Sequence, residues 1–412
     1  MDVASFEAWE YRADGGLSRA RFRLEGGVDT GWQLLRNERA HLFFGPGFVP
    51  LAVRACGVCA TDLARRFLPF PLPQVLGHEL LAEGADGGRR VVEINASCRA
   101  RGLAPCATCV AGLARHCPTR RVLGIHDLPG GFGPYVLAAR EAVMSVPDGL
   151  ADETAVLTEP FAAALHAARN LSIRPGDRVA VLGPRRLGML VIAALAAERR
   201  RTGADHEIVA WLRRPELAPL ARALGADAVG EPPAGEGADV VVDTTGSPEG
   251  LAVALASARR ELHLKSTHGR PAGGLRHATA LVVDELSLEP LEAGAEGDAV
   301  VVRDGPGADA AIRPDPGGER IGVPPCSRLL VHPDARRCNA PLLREVARRG
   351  LRVTTSRCGG FRAALDAFAA DPELRELGPR MVTHRFGPDA LPRAFETAAS
   401  HGAIKVLVEH PR

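Results

Sequence analysis

From Arg174 onward the sequence alternates between short apolar runs and longer segments of helical period, a rhythm that leaves few folds open. Arg178–Gly183 (RVAVLG) reads as a buried strand, Leu187–Arg201 as a helix, Glu207–Leu212 (EIVAWL) as a strand and Pro215–Ala226 as a helix. Asp239–Gly246 (DVVVDTTG) is again a strand, Glu249–Arg259 a helix and Glu261–Thr267 (ELHLKST) a strand. Strands that recur with helices between them at these lengths are parallel neighbours in a doubly wound sheet, so the class is α/β.

The preceding residues have a different character. Through residue 172 the chain offers short β-rich pieces, such as Val49–Cys56 and Arg89–Ser97, set between Gly/Pro turns, with no sustained helical period before about Asp152. A length of 412 residues accommodates two domains, each with a sizeable core. With 46% apolar but only 4% aromatic residues, those cores must be built mainly from Ala, Val and Leu.

Charge argues against polyanionic partners. The 51 Lys and Arg nearly cancel the 49 Asp and Glu, and a net charge of +2 gives no reason to expect a nucleic acid or an anionic membrane surface. Only Lys265 and Lys405 are lysines, a skew that codon bias explains better than function, and Arg199-Arg200-Arg201 reads as a solvated helix end. The N-terminal residues lack a basic stretch followed by an apolar one, and no apolar run approaches a membrane span, so a cytoplasmic protein is expected.

Nine cysteines are present, and six fall in or beside two clusters. Cys98, Cys106, Cys109 and Cys117 crowd one loop around a C-x-x-C, the way proteins hold tetrahedral zinc. A second constellation comprises Cys59-Ala60-Thr61-Asp62, Gly77-His78-Glu79 and Thr158-Glu159-Pro160. In a reducing compartment such clusters are more often metal ligands than disulfides. Cys326, Cys338 and Cys358 lack that spacing and read as buried free thiols.

Together these motifs resemble the two zinc sites of the medium-chain dehydrogenase/reductase family, in its zinc-dependent alcohol and polyol branch, which includes sorbitol and threonine dehydrogenases. The resemblance implies a GroES-like β-barrel catalytic domain over 1–172, completed by 358–412, and a Rossmann cofactor domain over 173–357. In G-V-C-A-T-D the ligand is Cys59, and Cys56 is a passenger in the strand. His78 of G-H-E is the second ligand, and Glu159 of E-P-F the third, although some members of the branch use the equivalent of Glu79, or water. One thiolate, one imidazole and one carboxylate leave zinc a stronger Lewis acid than two thiolates would. Thr61 stands where the family relays the substrate proton, Asp62 where it fixes the tautomer of the zinc-bound imidazole, and His166 and His126 could extend the relay. Cys106, Cys109 and Cys117 keep the spacing of the family's structural zinc loop, while the gap after Cys98 is longer.

Gly183-Pro184-Arg185-Arg186-Leu187-Gly188 follows a strand and opens a helix, the context in which G-x-G-x-x-G binds a dinucleotide. Arg185 replaces the middle glycine, so its side chain must either contact phosphate or obstruct it. After the second strand, where a carboxylate would take the ribose hydroxyls of NAD, the sequence has Arg213 and Arg214; NADP is therefore favoured over NAD. Thr245, Gly246, Lys265 and Ser266 lie at strand ends where the family approaches the nicotinamide.

One segment departs from the family pattern. Ala280–Leu288 resembles its final Rossmann strand and Ser356–Phe368 resembles the segment that normally comes almost directly after it, yet some sixty residues intervene. This insert, about 290–350, is Gly/Pro-rich over 304–325, then offers a strand at Arg328–His332, a helix at Pro341–Gly350 and a strand at Leu351–Ser356, and is expected to form a small subdomain. It adjoins the edge through which family dimers pair, so a homo-oligomer of altered geometry is expected. The function implied is zinc-dependent hydride transfer between NAD(P) and a secondary alcohol, polyol or sugar-like substrate, or its ketone. A catalytically silent relative that binds a nucleotide or partner is the alternative.

Overall fold

The computed structural model describes residues 5–266, 270–276, 278–292, 301–302 and 323–411. Two compact units result, one from 1–160 with 360–412 and the other from 161–359. The boundaries expected from sequence, near 172 and 358, thus move by twelve residues at one end and two at the other, the first falling inside the helix Thr158–Asn170. Among the described residues no helix is long and apolar enough to cross a membrane.

The first unit begins with a four-stranded antiparallel meander, Phe6–Tyr11, Leu17–Gly27, Gly31–Arg36 and Arg39–Phe44. A seven-stranded sheet comes next, built around Phe48–Gly57. This central strand pairs antiparallel with Glu79–Glu83 on one side and, near its end, with Lys405–Glu409 on the other, while its first half pairs with Tyr135–Ala139. The chain end forms a helix, Leu391–Ala399, and a strand, Lys405–Glu409, which returns to the sheet in the register Leu407 to Gly57.

The second unit is a nine-stranded sheet in the order Ala228–Gly230, His206–Trp211, Asp177–Leu182, Ala238–Asp243, Ala258–Leu264, Arg352–Thr355, Ser287–Pro290, Arg328–Val331 and Val301–Val302. Its first six strands are parallel, as the alternating sequence requires. Leu182, Val241, Leu262 and Val353 lie in its buried core. The helix Arg186–Thr202 ends on Gly203 in the left-handed conformation, with Arg199, Arg200 and Arg201 in its last turn, where cations meet the negative helix end.

The insert differs from expectation. Ala280–Leu288 is not one strand: Ala278–Val283 is helical and only Ser287–Pro290 is extended. The sixth parallel strand is Arg352–Thr355, and Ser287–Pro290 pairs with it antiparallel. The strand and helix expected at Arg328–His332 and Pro341–Gly350 form over Arg328–Val331 and Pro341–Arg349, the strand as part of the main sheet. Among the described residues of the insert, Leu329, Val331, Leu342 and Val346 are continuous with the unit's core rather than forming one of their own. Residues 293–300 and 303–322 of the insert, and Thr267, lie outside the described residues.

Candidate active site

The strand Phe48–Gly57 delivers the chain to Cys59, which begins the short helix Ala60–Leu63 in an extended backbone conformation. Asp62 folds back so that its Oδ2 accepts the Cys59 backbone N–H at 2.8 Å. This closes the helix start and leaves the thiol on its rim, with Thr61 Oγ1 at 3.7 Å from Cys59 Sγ. His78 and Glu79 enter on the neighbouring strand, where Glu79 is the register partner of Gly57. The result is a group of three ligand atoms, from Cys59, His78 and Glu79, all within 4.8 Å of one another.

Each side chain is held from behind. Asp62, 1% exposed, faces His78 Nδ1 at 3.5 Å, which directs the other ring nitrogen away from it. That distance is at the outer edge of hydrogen bonding, and Nδ1 has no closer partner. Burial alone would lower the imidazole pKa, but Asp62 and the Cys59 sulfur beside it raise it well above the ordinary value. A cation in this pocket would stand in for that proton, so the donor set fits a metal ion.

Glu79 carries a feature that sequence reasoning missed. Its Oε2 is ion-paired with Lys405 Nζ, from the chain-end strand on the far side of Phe48–Gly57. Burial would raise the Glu79 carboxyl, but Lys405 and His78 hold it below the ordinary carboxylate range. Gly57 makes the pair possible: a Cβ there would run into Glu79 Oε2 and lie 3.4 Å from the Lys405 stem. The available signal was that Lys405 is one of two lysines in an arginine-rich chain.

Glu159 is not part of the three-atom group. It opens the helix Thr158–Asn170, and burial, with Glu79 and Glu93 nearby, pushes its carboxyl up to about 7 against the pull of His78 and Lys405. His166, expected to extend the relay, belongs to the second unit, where its Nε2 meets Glu285 Oε1 at 3.1 Å. His126 stacks on Phe70 with ring centroids 4.9 Å apart.

The loop cysteines converge as expected of a four-thiol site. Cys98 Sγ and Cys109 Sγ are 3.3 Å apart, Cys106 Sγ and Cys117 Sγ 3.9 Å, and all four lie within 4.8 Å of one another. The longer gap after Cys98 forms a turn in which the Cys106 N–H reaches Cys98 Sγ at 3.3 Å, so it does not displace the first thiol. Burial and the neighbouring thiols push Cys109 up to about 12, while N–H and hydroxyl donors at Cys98 and Thr119 bring Cys117 down to about 6 despite burial. Four thiols so close cannot all ionise without a cation among them, so this donor set fits a metal ion such as zinc.

In the second unit Gly183 has φ +70°, and a Cβ there would come within 2.6 Å of Thr245 Cγ2. At Gly188 a Cβ would meet Thr244 Oγ1 at 2.5 Å, so both glycines are required where helix and strand ends approach. Arg185 forms the N-cap of the helix, and burial with the like charges of Arg186 and Arg214 lowers its pKa. Arg214 thus shares the basic neighbourhood of the loop, and Arg213 is exposed. Thr245 is fixed by Asp243 Oδ1, which accepts its N–H at 2.9 Å and its hydroxyl at 2.6 Å; Gly246 follows in the left-handed conformation. Ser266 Oγ donates to Thr244 O at 3.2 Å. Lys265 departs from expectation: it is buried and its ammonium is spent on Ser356 and Arg357 rather than presented to a cofactor.

Known proteins resemble this chain in sequence and in fold. Residues 45–148 match the alcohol dehydrogenase GroES-like domain family. The chain is 31% identical over 240 residues to sorbitol dehydrogenase of Bacillus subtilis, covering 52% of this chain and 65% of that one. It is 32% identical over 225 residues to L-threonine 3-dehydrogenase of Rhizobium etli, covering 51% and 62%. The chain therefore spans a little under two thirds of the curated relatives it matches. Among solved structures, the fold is shared with 2R,3R-butanediol dehydrogenase of Bacillus subtilis (TM-score 0.60, 21% identity, 99% and 100% of the two chains). It is shared equally with a protein of Sinorhizobium meliloti bound to NADP (TM-score 0.63, 22% identity, 98% and 99%).

Proposed function

We propose that the chain is a member of the zinc-dependent alcohol and polyol branch of the medium-chain dehydrogenase/reductase family, an enzyme transferring hydride between NAD(P) and a secondary alcohol, polyol or sugar-like substrate, or the corresponding ketone. The observation that carries this reading is the convergence of Cys59, His78 and Glu79 within 4.8 Å beside the Thr61 hydroxyl.

Cys59 and His78 would hold a catalytic zinc, with a carboxylate as third ligand. Distance favours Glu79; charge favours Glu159, since Glu79 is already neutralised by Lys405 whereas Glu159 is pushed up to about 7 by burial and would be relieved by a cation. Zinc bound there supplies the Lewis acidity that lets a carbinol hydroxyl lose its proton near neutral pH. Thr61, partly exposed and adjacent to the thiol, takes that proton toward solvent, and Asp62 holds the imidazole and the Cys59 backbone in place. Cys98, Cys106, Cys109 and Cys117 would hold a second, structural zinc, kept reduced by a cytoplasmic setting.

NADP is the favoured cofactor. Arg213 and Arg214 follow the second parallel strand with no carboxylate to repel a 2′-phosphate, and Arg185 would meet the pyrophosphate where a glycine usually stands. A homo-oligomer of altered geometry is also proposed, since the strands beyond Arg352–Thr355 extend the sheet edge. Purified protein offered polyols, sugars, secondary alcohols and ketones with both nicotinamide cofactors tests the function. Zinc-dependent turnover with at least one class is expected, and a zinc-loaded protein that binds neither nucleotide would refute it.

A further inference from the structure

Between the parallel strands Ala258–Leu264 and Arg352–Thr355 lies a buried row of polar side chains that hydride transfer does not account for. His263 and Ser356 are fully buried, Glu261 is 1% exposed, Lys265 4% and Thr354 5%. In an apolar sheet core, such a row persists only if every member is satisfied.

The donors and acceptors fix one direction along it. The Lys265 ammonium can only donate, and it does so to Ser356 Oγ at 3.2 Å as well as to the backbone oxygens of Ser356 at 3.1 Å and Arg357 at 2.6 Å. At the other end Thr354 gives its one proton to the Glu261 carboxylate and must itself accept from His263 Nδ1–H, which leaves Nε2 of the neutral ring to take the Ser356 proton from 2.8 Å away. With Nε2 accepting, the imidazole proton resides on Nδ1 and is donated to Thr354 Oγ1 at 2.9 Å. Thr354 in turn donates to Glu261 Oε1 at 2.8 Å. Glu261 is the anionic end, and its Oε2 also accepts the Ser172 N–H at 3.1 Å and faces Arg352 at 3.6 Å. A protonated His263 would place two cations on one fully buried serine hydroxyl, which the arrangement excludes.

The chain ends where a nucleotide binds in a doubly wound sheet, at the carboxyl edge of the strands. The Lys265 N–H donates to Asp243 O at 3.1 Å, and the next residue, Ser266, donates to Thr244 O. Thr244 packs against Gly188 of the glycine loop. We propose that His263 is a positioning residue for the nucleotide end of this unit: neutral, with its proton on Nδ1, it is the middle link of a one-way hydrogen-bond chain from Lys265 to Glu261 that fixes the strand end carrying Ser266. The inference rests on the reading of Gly183–Gly188 as a nucleotide loop. Burial, together with Lys265, His166 and Arg352, outweighs Glu285 and brings the His263 pKa down to about 3, which agrees with the hydrogen-bond directions.

Two measurements test it. In full-length protein labelled with 15N-histidine, the imidazole whose signals are lost in His263→Leu should be neutral with its proton on Nδ1, unchanged from about pH 5 to 8, where an ordinary histidine titrates. An Nε2 proton, or titration in that range, overturns the chain. Fluorescence titration with NADPH should show His263→Leu binding roughly tenfold more weakly than wild type, as for one misplaced polar contact. His263→Gln, with one donor and one acceptor, should recover part of the loss. Equal affinity of wild type and His263→Leu overturns the positioning role. A wild type that binds no nucleotide refutes the nucleotide reading instead, and the histidine spectrum then decides the hydrogen-bond chain alone.

Discussion

Lys405 and Glu79 form an ion pair with side chains 2% and 1% exposed, joined across the bare backbone of Gly57. A pair so buried gains little over a well-packed apolar pair of equal volume, but either member left alone is an uncompensated charge. The two residues lie 326 positions apart, so the pair also reports that the chain end has docked on the catalytic strand.

From this, Lys405→Met in zinc-free protein should cost about 3–5 kcal/mol in urea unfolding, whereas Lys405→Met with Glu79→Leu should recover most of it. A single substitution costing no more than an exposed one would show that water reaches the carboxylate.

The local motifs were legible because their chemistry is local. Cys59 and Asp62 act through a three-residue turn, and Cys106 and Cys109 through a C-x-x-C, so spacing determines geometry. Long-range partners were not legible. Glu79 reads as a neighbour of His78, and nothing near it announces Lys405. Ala278–Val283 is an apolar run short enough for helix or strand, and its choice is made by packing into the second unit's core. Arg352–Thr355 was recognisable as a strand, but its place beside Ala258–Leu264 depends on pairing across about ninety residues. Lys265 looked like a cofactor ligand because it ends a strand at the right edge, while its acceptors, Ser356 and Arg357, lie beyond that pairing.

Acid should strip the loop zinc. All four thiols must be ionised to bind metal, and without it Cys117 is brought down to about 6 while Cys109 is pushed up to about 12. Protons therefore compete increasingly as pH falls, and release monitored with a chromogenic chelator should accelerate below about pH 6. Cys106→Ser should lose one zinc equivalent and melt at lower temperature, leaving the Cys59 site loaded.

Glu159 gives a pH signature of the opposite kind. Its folded pKa of about 7 lies above the ordinary 4.5, so the native state holds this proton more tightly than the unfolded chain. The resulting contribution is fully present below about pH 4.5 and is lost as pH rises through about 7. In metal-free protein, Glu159→Gln should raise the melting temperature at pH 8 and have little advantage at pH 5. Added zinc should reverse the pH 8 result if Glu159 is a ligand.

The proposed preference for NADP is tested at Arg213. A charge-assisted hydrogen bond to the 2′-phosphate contributes about 1.5–3 kcal/mol, or roughly tenfold to a hundredfold in discrimination. Arg213→Ala should reduce kcat/KM for NADP by that factor and leave NAD nearly unaffected. Arg185→Gly separates assistance from obstruction, since lower activity means the guanidinium contacts phosphate and higher activity that it blocks the loop.

Cys59, His78 and a neighbouring carboxylate are proposed to hold the zinc on which hydride transfer depends. The most direct measurement is zinc content together with nicotinamide-linked turnover, in wild type and Cys59→Ala purified without added metal. Two zinc ions per chain with turnover in wild type, and one zinc with an intact fold and no turnover in Cys59→Ala, are predicted. Turnover that survives the loss of the Cys59 zinc would contradict the account.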